Sequence, residues 1–160
     1  NKQKRDIYVR QSKLEGYRSR AVYKLQEIQT KFKVINNGMS IVDLGAAPGS
    51  WSEFISRKFK NIKLVAIDLK ELDKIENVTH IKGDFTDEIN QKKIEKNFEK
   101  KIDLVVSDMA VNTTGNKNVD SLVTGELSIE AMNFSLKILK KNGVFVSKIF
   151  MGSSLSLIHI

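Results

Sequence analysis

The chain has 160 residues, enough for one domain with a real core, and no apolar run approaches the about 18 residues that span a membrane. It has no cysteine, which excludes a disulfide framework or thiolate metal site and fits a reducing, cytoplasmic setting. The net charge of +8 points to an anionic partner such as nucleic acid, although lysine outnumbers arginine 22 to 5, a bias that an AT-rich genome also produces.

The charge is concentrated at the start. Residues 1–24 carry eight basic side chains against only Asp6 and Glu15, with Tyr8 and Tyr17 among them as rings able to stack on bases or sugars. Residues 1–18 therefore read as a basic RNA-binding arm using Arg5, Arg10 and Arg18, with Arg20 just beyond, or equally as a solvated charged arm. From Ser19 the pattern turns helical: Ala21, Val22, Leu25, Ile28 and Phe32 recur at three- and four-residue spacing. Lys24 falls at the edge of that face, where it either snorkels or points into a site. Asn36-Asn37-Gly38 then punctuates the chain.

The stretch Met39–Trp51 reads M-S-I-V-D-L-G-A-A-P-G-S-W. An apolar β-branched run, a tight glycine turn and a helix form the opening unit of a doubly wound α/β sheet, and such sheets bind ligands where their strands end. Gly45 and Gly49 lack a Cβ, so a ligand can approach the backbone, and the helix behind them offers free N–H groups. The spacing departs from the G-x-G-x-x-G that a dinucleotide pyrophosphate requires, and Pro48 stiffens the turn. A purely structural βα turn is the alternative.

Past the loop, Ser50 to Phe59 reads as a helix, and Leu64–Asp68 as a short buried strand ending in an acid. Asp68 follows Gly49 by 19 residues, the distance at which these folds set a carboxylate on ribose hydroxyls. NAD and S-adenosylmethionine (SAM) both contain a ribose, so Asp68 supports a nucleoside without choosing between them. A third strand, Val78 to Ile81, leads to Asp84-Phe85, an acid and a ring suited to an adenine. The other reading of Asp84 is an N-cap for a mostly charged helix over Thr86–Lys100, whose Ile89, Ile94 and Phe98 face inward.

The fourth strand, Ile102–Val106, runs into the polar loop Ser107–Gly115, where such folds keep reactive groups. A helix is predicted over Thr124–Leu139, with Ile129 and Leu136 among its apolar positions and Gly143 as its stop. The fifth strand, Val144–Phe150, is interrupted by Lys148. Desolvating an ammonium is costly unless something rewards it, so Lys148 is a functional candidate.

Four motifs in register now make a resemblance specific: R-S-R-A-V-Y-K-L at Arg18–Leu25, V-D-L-G-A-A-P-G-S-W at Val42–Trp51, S-D-M-A-V-N at Ser107–Asn112 and F-V-S-K-I-F at Phe145–Phe150. The chain resembles the FtsJ/RrmJ family, ribosomal RNA methyltransferases that act on a uridine 2′-hydroxyl of large-subunit rRNA, from about Asp6 to Gly152. The resemblance implies an α/β Rossmann-like SAM-dependent methyltransferase fold with a mainly parallel, doubly wound sheet. It implies S-adenosyl-L-methionine as cofactor, ribosomal RNA or the large ribosomal subunit as partner, no metal, and a monomer. It implies catalytic roles for Lys24, Asp108 and Lys148. It places cofactor contacts at Gly45, Ala46, Pro48, Gly49, Trp51, Asp68, Asp84 and Asp108. The alternatives are a SAM-binding, RNA-binding fragment without activity, or a SAM methyltransferase for another substrate such as mRNA cap ribose or a protein.

Three departures from the family stand out. Ser50 replaces a second glycine and narrows the methionine end of the loop. Val111 replaces a proline after Asp-Met-Ala. The family's catalytic glutamate has no counterpart within this sequence. Residues 19–154 are expected to be a methyltransferase domain lacking its C-terminal helix and last two strands. Residues 155–160, Leu-Ser-Leu-Ile-His-Ile, read as a non-native tail, because a transposon-end adapter sequence can encode this peptide, or else as a genuine short apolar C-terminus. The chemistry agrees with the residues independently. A ribose hydroxyl needs alignment and a base. A lysine serves as that base only when burial or a second cation disfavours its ammonium, which Lys148 with Lys24 nearby would supply.

Overall fold

The computed structural model describes residues 2–109, 115–148 and 155–159. In chain order the elements are α1 (Lys2–Leu14), α2 (Val22–Phe32), β1 (Ser40–Leu44), α3 (Ser50–Lys58), β2 (Lys63–Asp68), β3 (Val78–Lys82), α4 (Glu88–Lys96), β4 (Ile102–Ser107), α5 (Lys117–Ile138), β5 (Leu139–Lys148) and β6 (Leu155–His159). The strands lie in the order β3-β2-β1-β4-β5-β6. The first five are mutually parallel and β6 runs antiparallel to β5. From β1 the chain moves outward through β2 and β3, then returns to place β4 on the other side of β1. The strand order reverses there, and the crevice beyond the strand ends is the binding position of such folds.

Strand periodicity splits the core into two layers. Ile41, Leu64, Leu104, Val106 and Val146 face one way and pack on Leu25, Ile28, Trp51, Phe54 and Ile55 of α2 and α3. Their neighbours Val42, Leu44, Val65, Ile67, Val105 and Phe145 face the other way, onto Ile94 of α4 and Phe134 and Ile138 of α5. Each such aliphatic or aromatic side chain contributes about 1.5–3 kcal/mol by leaving water, so the central strands are a rigid platform for whatever their ends carry. Among the described residues, no helix is long and apolar enough to cross a membrane.

Several expectations change. The basic arm is a helix, α1, on which Ser12 is the one buried residue. Its Lys, Arg and Gln are good helix formers. It ends at Gly16, whose φ of +74° suits glycine, and Tyr17 N–H closes the turn on Ser12 C=O at 2.8 Å. The charged helix after β3 is shorter than predicted, Glu88–Lys96, and its Ile89 is exposed. The last helix starts earlier, at Lys117, and Ile129 and Leu136 lie on its solvent side, as Phe32 does on α2. Gly143 lies inside β5, which begins at Leu139 and shifts register between Ile102 and Leu104 of β4. Residues 155–159 pair with β5, whose open edge offers a row of backbone groups to any added strand. Val111 and the rest of 110–114, together with 149–154, lie outside the described residues.

Candidate active site

The glycine loop follows β1 directly. Gly45 and Ala46 donate their N–H groups to Ile67 C=O at 2.9 and 3.1 Å, and Ala47 N–H donates to Asp68 Oδ2 at 3.0 Å. The loop is therefore tied to the end of β2. Gly45 (φ +69°) and Gly49 (φ +109°) both use the left-handed region, where a side chain is strained. A Cβ on Gly45 would collide with the Met109 side chain, and one on Gly49 would lie 2.9 Å from Ile75 Cδ1. Ala46 is buried, Pro48 is exposed, and the Ala47–Pro48 peptide is cis. Gly49 caps α3, whose first turn has N–H groups with no helical carbonyl to meet.

Two sequence-predicted side chains here do something other than face a ligand. The Trp51 indole is in the core and donates Nε1–H to Ala21 C=O at 2.8 Å, so only its backbone remains for a cofactor. The Ser50 hydroxyl is buried and lies 2.6 Å from Ser19 Oγ, turned toward the segment before α2.

The acids expected at strand ends are where the strand pattern put them. Asp68 is half-buried and accepts from Ala47 N–H and, at 2.7 Å, from Lys70 N–H, leaving one lone pair on each oxygen. Asp84 Oδ1 accepts from the Thr86 N–H (2.9 Å) and hydroxyl (2.7 Å), while Asp87 occupies the N-cap position of α4 without a side-chain capping bond. Asp84 thus forms a local turn with its second carboxylate oxygen left over.

Asp108 and Lys148 stand one residue beyond the register pair Ser107–Ser147, at the ends of β4 and β5, with Lys148 Nζ 2.9 Å from Asp108 Oδ1. Burial pushes the Asp108 carboxyl above its ordinary range, and the Lys148 ammonium opposes that rise. The Lys148 side chain is 42% exposed, so it is not the buried ammonium that its strand suggested. It lies at the strand's last position, where the sheet opens to solvent. Lys24 is also exposed and pairs with Glu27 at 3.8 Å rather than with Lys148 or Asp108. The geometry therefore gives Lys148 an anion as neighbour, not a second cation.

One residue of this centre went unread in the sequence. Asp43 in β1 is 1% exposed and accepts the Ser52 hydroxyl at 2.6 Å, while its buried Oδ1 has no hydrogen-bond partner among the described residues. Burial pushes its carboxyl up to about 7, reinforced by Asp108 and Asp68 and opposed by Ser52. The signal was present: an ionisable residue inside an apolar strand is the same anomaly that singled out Lys148.

The arginines divide. Arg5, Arg10 and Arg20 are exposed. Arg18 is turned inward, with Nη1 donating to Pro48 C=O (3.1 Å) and Asp73 C=O (2.7 Å), Nη2 to Lys74 C=O (3.0 Å) and Nε to Glu53 (3.2 Å). Tyr17 is buried beneath the Arg57 guanidinium, 4.9 Å from its ring centre, and cannot stack on a base, whereas Tyr8 is exposed and contacts Tyr23.

A family model described as FtsJ-like methyltransferase matches residues 17–159. The ribosomal RNA large subunit methyltransferase E of Pelagibacter ubique is 63% identical over 154 residues, spanning 96% of this chain and 76% of its own length. The protein of the same name from Rickettsia felis is 45% identical, with 96% and 70% covered. A Plasmodium falciparum protein assigned as a ribosomal RNA methyltransferase superposes with a TM-score of 0.77 at 35% identity, covering 86% of this chain and 80% of that one. Together with the α/β Rossmann-like sheet and its glycine loop, these matches show that the chain belongs to the FtsJ-like methyltransferase family.

Proposed function

We propose that the chain is a SAM-dependent methyltransferase that modifies a uridine ribose 2′-hydroxyl in large-subunit ribosomal RNA. The observation that carries the chemistry is the 2.9 Å Asp108–Lys148 pair, set at the ends of adjacent strands beside the glycine loop. The substrate class draws on the large-subunit rRNA methyltransferases that this chain resembles and on the basic α1.

The residues fit a nucleoside-bearing methyl donor. The two positive-φ glycines leave backbone bare where a Cβ would collide, and the first turn of α3 presents unpaired N–H groups. Asp68 and the second oxygen of Asp84 are acceptors for ribose hydroxyls and an adenine amino group. Gly45, Ala46, Pro48, Gly49 and the backbone of Trp51 would hold the cofactor along the loop, with Asp108 close by, since its neighbour Met109 packs against Gly45. When bound, SAM supplies a sulfonium methyl group as the electrophile.

Lys148 takes the proton of the ribose hydroxyl in its neutral form, and Asp108 orients the lysine nitrogen and stabilises the ammonium that results. Lys24 assists as an exposed cation able to swing from Glu27 to the RNA backbone. Arg5, Arg10 and Arg20 hold phosphates. We place the protein in the cytoplasm, where its RNA substrate is made, and as a monomer.

The test is transfer from methyl-labelled SAM to ribosomal subunits, free rRNA, capped RNA and protein. Label in rRNA ribose supports the assignment, and label in cap or protein redirects it. SAM and RNA binding without transfer identifies a binding module.

A further inference from the structure

Arg18 lies within the basic segment, yet its charge faces inward. Four of its five N–H donors are committed, to three carbonyls and one carboxylate from three separate stretches of chain. Pro48 belongs to the glycine loop, Glu53 to α3, and Asp73 and Lys74 to the loop that follows Asp68 and β2. Nothing else in the described structure bonds these three stretches through one side chain. A Cβ added to Gly49 would lie 3.2 Å from Arg18 Nη1, so the guanidinium closes directly against the loop glycine.

We infer that Arg18 is a positioning residue that locks the glycine loop to the loop after β2 and so sets the cofactor site, rather than an RNA contact. The inference rests on the SAM reading above, because the glycine loop and Asp68, from which the second loop departs, are assigned to the cofactor. Three carbonyl oxygens aimed at one point are the negative ends of three peptide dipoles, and only a cation with several donors satisfies them together. Glu53 is 9% exposed and shares its Oε2 between Arg18 and Arg57, the latter at 3.6 Å, while its buried Oε1 has no hydrogen-bond partner among the described residues. Removing Arg18 therefore leaves a buried carboxylate with weaker compensation and takes the tie at Pro48, Asp73 and Lys74 from two loops that Asp68 and Ser56 hold only at other points. The segment around Arg18 is stitched to the same region independently, by the Ser19–Ser50 contact and the Trp51–Ala21 hydrogen bond. A loose loop costs cofactor affinity because the ordering must then be done on binding.

The test compares the parent with Arg18→Ala and Arg18→Lys. The lysine keeps the charge beside Glu53 but cannot reach three carbonyls. Lys92→Ala, which removes one exposed charge from α4, is the control. Calorimetry is expected to show SAM affinity falling at least tenfold in Arg18→Ala, less in Arg18→Lys, and unchanged in Lys92→Ala. The salt slope of RNA binding should stay at the parental value in both Arg18 variants. SAM affinity within twofold of the parent, or a flattened salt slope with intact SAM affinity, overturns the inference. Hydrogen exchange on the ligand-free proteins separates this from failure of the SAM reading. Faster exchange confined to residues 45–53 and 69–77 in Arg18→Lys supports the lock even if the parent takes no SAM. Parental exchange in both stretches rejects it whatever the parent binds.

Discussion

Lys148 Nζ lies 2.9 Å from Asp108 Oδ1, each residue one step past a register pair of the two strands that carry them. Parallel pairing of β4 and β5 thus sets the spacing of an amine and a carboxylate at adjacent strand ends. Sites held by strand ends are stiffer than sites held by loops, which suits proton transfer.

Removing Lys148 tests its proposed role as base directly. Lys148→Ala should lower turnover by about 100- to 10,000-fold, the range for a general base, while SAM affinity stays near parental. Steady-state transfer kinetics and calorimetry on the same preparations read both quantities. Activity within a few-fold of the parent would take Lys148 out of the base role.

The acids at the strand ends should choose the cofactor. Asp84→Ala is expected to lose most SAM affinity if its second carboxylate oxygen takes the adenine amino group, as proposed. NADH should not bind the parent. Calorimetric titration of both ligands decides the matter, and equal binding of NADH would overturn the ligand assignment.

Asp43 predicts a pH dependence of stability. Its carboxyl is at about 7 in the folded chain, raised from 3.8 by burial, so between those values the folded state holds a proton that the unfolded chain has lost. Stability therefore falls as pH rises from 3.8 through about 7 and then levels. The shift corresponds to about 4 kcal/mol. Asp43→Asn keeps an acceptor for Ser52 and should flatten this fall. Urea unfolding at acidic, neutral and alkaline pH measures it, and an undiminished slope in the variant would assign the dependence to other groups.

The exposed arginines should govern the salt dependence of RNA binding. Arg5, Arg10 and Arg20 changed together to Ala should reduce the slope of log affinity against log salt by about 2–3, on the basis of about 0.7–0.9 per phosphate contact. Filter binding across a salt series reads the slope. No change would make α1 a solvated helix.

Much of this was legible in the chain. Runs such as Leu64–Ile67 and Val144–Val146 are β-branched, aromatic or apolar without alternation, the mark of strands covered on both faces. The acids that follow such strands come from the same pattern, which is how Asp68 and Asp108 came to be placed, while Asp84 follows the half-exposed β3. What was illegible is non-local. Tyr17 looked free to stack until Arg57 covered it, and Arg18 looked like an RNA contact until residues 48, 53, 73 and 74 converged on it. The helix α1 has charge on all sides, so no apolar face announced it. Gly143 resembled a helix stop because β5 starts early, through a register shift that sequence does not encode locally. Asp43 was readable but unread.

The measurement that bears most directly on the central claim is the fate of a labelled methyl group. SAM carrying the label is incubated with the protein and large-subunit rRNA, the RNA is digested, and the modified nucleoside is identified by mass. The account predicts label on the 2′-oxygen of a uridine, absent with Lys148→Ala. Label on a base, on cap ribose or on protein, or none while SAM and RNA both bind, would contradict it.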